Sequence, residues 1–241
     1  MYVSVGSASN VADGLGRLDD AALAAWTSQH PVGAAWGAET DRADVLTFDP
    51  DGRNGRVYAT GIRNCSGLAV TTSGEVWCST NERDELGDDV PPDYITRVRE
   101  SAFYGWPWYY IGANEDPRHR NERPDLKDKI TIPDVLLEAH SASLGITTYD
   151  GRQFPPEYRG SLFAAEHGSW ERSKRTGSKV IRVITKDGVP TGEYEDFAIG
   201  FVVNDDSAWG RPVGVTVAPD GSLLVSEDAG GTIWRITYGR N

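Results

Sequence analysis

Zinc-binding spacings are missing from this 241-residue chain: neither a CxxC nor an HExxH motif occurs, which removes the common zinc sites. Cysteine is scarce, with Cys65 and Cys78 the only two. Two thiols do not define a disulfide framework, so free, partly buried cysteines are expected, although a hairpin could place them diagonally. No Ser-His-Asp or Cys-His order can be traced, and no elbow motif surrounds Ser169 beside His167. No run of about 18 apolar residues exists, so no bilayer-spanning helix is expected. The opening stretch Met1-Tyr2-Val3-Ser4-Val5-Gly6 reads as a strand and not as a secretion signal. Positive charge is also in deficit. Lys and Arg number 24 against 36 Asp and Glu, a formal net charge of −12. That argues against nucleic acid or an anionic membrane as partner, since both attract cationic surfaces.

What is present favours strands. The chain has 27 glycines, 13 prolines and 10% aromatic residues, a composition of many short strands joined by turns. The stretch from Gly61 to Pro107 carries a legible hairpin, with Leu68-Ala69-Val70 and Val76-Trp77-Cys78 flanking turn residues. Both ends of it open into loops crowded with charge, a composition suited to a rigidly mounted polar site.

One pattern recurs: a turn glycine, an apolar strand, then small and polar residues. It appears at Tyr2–Ser7 (without its glycine), Gly74–Asn81, Gly160–His167 and Gly221–Asp228, with a weaker relative from Asp51-Gly52 to Thr60. The strands of the four copies begin at residues 2, 76, 162 and 223. Repeats of this size made of strands and turns predict an all-β fold, a β-propeller. In a propeller, equivalent strand ends converge, which here would gather Ser7–Asn10, Asn81–Asp84, Glu166–Trp170 and Glu227–Gly231. A ring of six blades would need on the order of 400 residues, so the expectation is one propeller domain over 1–241. It would hold about four blades, with others lost before Met1.

Between the copies, Leu18 to Trp26 reads as a short amphipathic helix behind an Asp cap. Tyr109 to Lys129 reads as a surface excursion in which His119 is solvated, as is His30. Trp77, Phe163 and Trp234 are expected to pack between blades.

The residues able to do chemistry are distributed. They are Arg63-Asn64, Asn81-Glu82-Arg83-Asp84, Asp88-Asp89, the Gly105-Trp106-Pro107 corner, His140, His167, Arg172, Lys174 and Arg211. Oxygen-rich loops with a Gly-Pro corner suit Ca²⁺, and arginines from several loops suit a carboxylate-bearing ligand. The plainer reading of the same residues is loop-anchoring ion pairs.

Several of these runs, in order, resemble the glucose/sorbosone dehydrogenase family. They are Gly61-Ile62-Arg63-Asn64, Asn81 through Asp89, Pro92-Asp93-Tyr94, Phe103-Tyr104-Gly105-Trp106-Pro107, His140 through Gly145, His167-Gly168-Ser169-Trp170 with Arg172, and Trp209 through Gly214. The likeness runs from Tyr2 to Tyr238 and is weakest over Val11 to Trp36. It implies a six-bladed propeller that holds pyrroloquinoline quinone with Ca²⁺ and oxidises a sugar or sugar aldehyde. It further implies that Arg63 and Asn64 contact the quinone, Arg63 polarising the carbonyl that accepts hydride. Backbone carbonyls of Gly105 and Pro107 would ligate Ca²⁺. Arg211, with Arg172 or Lys174, would meet the cofactor carboxylates, and His140 and His167 would face the pocket.

The family's base histidine precedes the strand that matches Tyr2–Gly6 and is missing, which predicts turnover slower by roughly 10²–10⁴. The resemblance also implies an external electron acceptor and a periplasmic or secreted location. An unclosed ring would expose strand edges, which invites association of copies. A calcium-dependent propeller lactonase and a non-catalytic binding propeller are the alternatives.

Overall fold

The computed structural model of the chain describes residues 1–239. Backbone contacts divide it into two compact units. The first comprises Met1–Cys65, Arg83–Glu85 and Val98–Pro133; the second comprises Ser66–Glu82, Leu86–Arg97 and the chain from Asp134 onward.

In the first unit, strands Tyr2–Val5, Asp44–Thr47 and Arg56–Ala59 form an antiparallel sheet in sequence order. The weaker Asp51-Gly52 pattern is therefore the turn into the third strand of that sheet. The helix runs Asp20–Gln29, capped as expected by the Asp19 carboxylate, which accepts from Ala22 N–H at 2.8 Å. None of its residues is fully buried, but Leu23 and Trp26 turn one apolar side, half-buried, against the core. That core is formed by Trp36, Phe103, Trp106, Trp108, Tyr109 and Leu126.

Tyr109 to Lys129 is thus not a surface excursion, and His119 is not solvated. Tyr109 and Leu126 belong to the core, and His119 is buried with Nε2 2.8 Å from the Val11 carbonyl. Polarity misled here because each buried polar group has a partner. Asp116 pairs with Arg83 at 3.3 Å, and the Arg123 guanidinium lies over the Trp108 ring. His30 is half-buried, stacked on Trp26 with ring centroids 3.5 Å apart.

The second unit carries three larger sheets and a two-stranded one, Val202–Asn204 with Ser207–Ala208. Cys65–Val70, Val76–Thr80, Pro92–Val98 and Val135–Ala139 make one, its ends at Cys65 and Val98 marking the unit boundary. Ser143–Thr148, Leu162–Glu166, Lys179–Lys186 and Val189–Ala198 make the next, and Pro212–Val217, Leu223–Glu227 and Thr232–Ile236 the last. Every residue of Val76–Thr80 and of Leu162–Glu166 is buried, as strands covered on both faces must be. Glycine lets the first strands of successive sheets touch. A side chain at Gly145 would place Cβ 2.7 Å from the Val213 carbonyl oxygen, and one at Gly67 would collide with the Leu144 carbonyl.

Trp77 and Phe163 pack in the two cores of this unit as expected. Trp234 does not: on the outermost strand of its sheet it is 42% exposed, and its ring meets Trp209 edge-on at 5.6 Å. The cysteines also depart from expectation, since Cys65 and Cys78 are disulfide-bonded and the described residues include no free thiol. A count of thiols carries no geometry, whereas a tight hairpin brings distant chain positions alongside one another.

Candidate functional site

In the first unit, Arg63 follows the strand Arg56–Ala59 through the Gly61 turn and is almost wholly buried. Its Nε donates to the Asn10 carbonyl at 3.1 Å and its Nη2 to the Asn10 Oδ1 at 3.0 Å. Asn10 is a small hub, since its Oδ1 also accepts from Asp84 N–H at 2.9 Å and its carbonyl from the Trp106 indole at 3.3 Å. Asn64 is held by its side-chain oxygen, which accepts from Ser7 N–H at 3.2 Å.

The corner Gly105-Trp106-Pro107 has a cis Trp106–Pro107 bond. Gly105 stands at φ 121°, and a Cβ there would lie 2.5 Å from the Tyr109 carbonyl oxygen. The Gly105 carbonyl accepts from Trp108 N–H at 3.0 Å and from Tyr109 N–H at 2.9 Å. Both lone pairs of that oxygen are therefore engaged in the turn, and a cation bound there must displace them. Among the described residues no group of three or more His, Cys, Asp or Glu is placed to hold a metal ion.

The second unit brings most of its candidates together. His140 has a left-handed backbone at φ 61°, and its Nε2 lies 2.9 Å from the Gly87 carbonyl. Arg172 donates to the carbonyls of Asp88 and Ala139 at 2.8 and 3.1 Å and pairs with Asp89 at 2.8 Å. Asp88 in turn accepts from the backbone and hydroxyl of Ser173, which hold its carboxyl below the usual range. Lys174 is exposed. His167 sits with Nε2 3.0 Å from a carboxylate oxygen of Asp228. Beside it, Arg211 donates through Nε to the His167 carbonyl at 3.2 Å and through Nη2 to the Gly168 carbonyl at 2.7 Å.

Arg211 and Arg172 differ in a way that matters for an anion. Arg172 has a carboxylate partner already, whereas among the described residues the guanidinium of Arg211 is bonded to neutral carbonyls, and the Glu227 carboxylate meets its backbone N–H instead. A half-buried guanidinium whose charge meets no carboxylate is fitted to an incoming one.

Two acids that sequence reasoning passed over underlie these loops. Asp93 is fully buried, accepting from Glu82 N–H at 2.8 Å, Ala142 N–H at 2.7 Å and the Ser141 hydroxyl at 3.1 Å. Burial raises its carboxyl to about 6 despite those donors. Glu166 ends the buried strand Leu162–Glu166, and neither carboxyl oxygen makes a well-formed hydrogen bond. Ser141 and Ser143 face it and offset part of the burial penalty, which nevertheless raises it to about 7. The sequence marked their places, Asp93 in the run Pro92-Asp93-Tyr94 and Glu166 at the end of Phe163-Ala164-Ala165-Glu166, but gave neither a role.

A family model described as glucose/sorbosone dehydrogenase matches residues 41–180. The chain belongs to that family. A Borreliella burgdorferi protein described only as uncharacterized is 36% identical over 200 residues, covering 81% of this chain and 52% of the relative. Among solved structures, the holo form of the pyranose dehydrogenase PQQ domain from Coprinopsis cinerea superposes with a TM-score of 0.71 at 20% identity. That match covers 98% of this chain and 66% of the other. A calcium structure of a family AA12 carbohydrate-active enzyme from Trichoderma reesei gives 0.65 at 18% identity, covering 96% and 63%. The chain thus spans about half the length of the curated relative and somewhat under two thirds of these structures. At such identities the structures show the fold, an all-β propeller whose blades are the three- and four-stranded sheets described above.

Proposed function

We propose that the chain is the cofactor-binding part of a quinone-dependent sugar dehydrogenase that oxidises an aldose or a sorbosone-type sugar aldehyde. Family membership supports the reaction class, and Arg211, whose guanidinium is bonded to two carbonyls and, among the described residues, to no carboxylate, carries the reading. The group it suits is pyrroloquinoline quinone, whose carboxylates match a planar guanidinium. When bound, that group accepts the hydride removed from the sugar.

In this reading Arg211 holds a cofactor carboxylate, and Lys174 supplies a second positive charge from the exposed end of its loop. Arg172 is a weaker anchor because Asp89 competes for it. His140 and His167 border the same ligand, with Asp228 orienting the His167 ring. Arg63 and Asn64 are proposed, on the resemblance, as contacts to the reacting quinone face, Arg63 placed to stabilise the oxygen on which charge develops. Ca²⁺ is proposed at the carbonyls of Gly105 and Pro107, on condition that the Gly105 turn opens. An external acceptor would take the electrons, and a periplasmic or secreted location agrees with the disulfide-bonded cysteines. Among the described residues, no helix is long and apolar enough to cross a membrane.

The test is titration of the chain with pyrroloquinoline quinone and CaCl₂, followed by absorbance and by dye reduction with aldoses. Saturable binding is expected, with dye reduction that depends on both the quinone and the aldose. Release of acid from lactones with Ca²⁺ alone, and no uptake of quinone, would overturn the reading.

A further inference from the structure

The turn His140-Ser141-Ala142 joins strands Val135–Ala139 and Ser143–Thr148 in an unusual backbone. His140 and Ala142 both take left-handed conformations, at φ 61° and 52°, which non-glycine residues adopt at some cost. Something must hold them there. The Asp93 carboxylate does so directly, by accepting from Ala142 N–H and the Ser141 hydroxyl.

The turn in turn carries the rest of the candidate site. The Ala142 carbonyl accepts from His167 N–H at 3.0 Å, and the Ser141 carbonyl from Gly168 N–H at 2.9 Å. The carbonyls of His167 and Gly168 are the two that hold the Arg211 guanidinium. From Asp93 a chain of hydrogen bonds through Ser141 and Ala142 therefore reaches His167 and Arg211, and His140 is fixed as the neighbour of Ser141 in the same turn.

Resting on the proposed function, we infer that Asp93 is the positioning residue of the cofactor site. It fixes the 140–142 turn and, through it, presents His167 and Arg211 to the ligand. Neutral amide or acid groups cannot replace it unchanged, because its oxygens face three donors and a protonated oxygen would confront one of them. The groups facing it are His140 from the turn, Glu82 N–H from the loop after Val76–Thr80, and Glu166 from the neighbouring strand end. Lys179, paired with Glu138 and Asp196, adds positive charge on the Glu166 side. Protonation of Asp93, whose carboxyl burial has raised to about 6, should slacken the turn. Cofactor affinity should then fall in mildly acidic solution.

The test uses the full chain and two readouts. Amide exchange at Glu82 and Ala142 is measured by NMR in wild type, Asp93→Asn and Ser141→Ala without cofactor. Affinity for pyrroloquinoline quinone with CaCl₂ is measured by absorbance at pH 7.5 and 5.5. In Asp93→Asn both amides should exchange at least tenfold faster while Ile95 and Phe163 stay protected, and affinity should drop at least tenfold at pH 7.5. The wild-type affinity should weaken between pH 7.5 and 5.5, and that of Asp93→Asn should not. Ser141→Ala, which removes one donor and keeps the fold if Asp93→Asn does not, should shift both readouts the same way by a few fold. Unchanged exchange overturns the inference, as does faster exchange with unaltered affinity and pH response. If wild type takes up no quinone, the proposed function falls, and the exchange data alone decide whether Asp93 holds the turn.

Discussion

The Nη2 of Arg211 donates to the carbonyl of Gly168 at 2.7 Å, so a cation is held in place by a neutral backbone oxygen. Gly168 can offer that oxygen because it has no side chain: its φ is 99°, and a Cβ would collide with the Ser178 hydroxyl. The guanidinium is thereby aimed without being neutralised. Arg211→Ala should weaken binding of pyrroloquinoline quinone by about 10–100-fold, the worth of a charge-assisted pair. Melting temperature should change little. An absorbance titration beside a thermal melt separates the two, and equal affinity in the variant would remove Arg211 from the site.

The buried carboxyl of Glu166 makes stability depend on pH with a definite sign. Burial raises it from 4.5 to about 7, so the unfolded chain ionises before the folded one does. Its contribution is therefore full below pH about 4.5 and is lost as pH rises to about 7, a difference of about 3 kcal/mol. Glu166→Gln should be more stable than wild type at pH 8 and close to it at pH 4, by urea midpoint. A variant destabilised equally at both values would show that the ionised carboxylate is needed where it lies.

Close approach of successive sheets predicts a sharp steric effect at Gly145. The atoms nearest an added Cβ are the Val213 carbonyl oxygen at 2.7 Å and Gly214 Cα at 2.8 Å, both backbone and unable to rotate away. Gly145→Ala should destabilise by about 1–3 kcal/mol. The melting temperature should fall by about 2–4 °C for each kcal/mol. Gly188→Ala, where nothing lies within 4 Å of the new Cβ, tests only its left-handed backbone and is the comparison to run.

Calcium and the Gly105 turn compete for one oxygen. If Gly105 ligates Ca²⁺, the N–H groups of Trp108 and Tyr109 lose their acceptor, and their amide exchange should quicken once quinone and Ca²⁺ are added. Unchanged exchange at saturating Ca²⁺ would strike Gly105 from the ligand set and leave Pro107 without its partner.

Much of the scaffold was legible in the sequence because turns and strands are local. The copies at Tyr2, Val76, Leu162 and Leu223 each open a strand of a different sheet, and Asp19 caps the helix that follows it. His119 shows where local reading fails, since its burial depends on an acceptor at Val11 more than a hundred positions away. Asp93 shows the same for the site. The motif Pro92-Asp93-Tyr94 marked its place, but its role arises from donors at Glu82 and Ala142 that converge only when the chain folds. Arg172 and Arg211 look alike as letters and part company once Asp89 claims one of them.

The outermost strand Thr232–Ile236 hydrogen-bonds to a neighbour on one side and leaves Ile233 71% exposed. Its other flank is a row of backbone donors and acceptors with sticky side chains above it. Sample history should therefore matter: concentrated stocks should sediment faster than dilute ones, and a lysine in place of Ile233 should make the two alike.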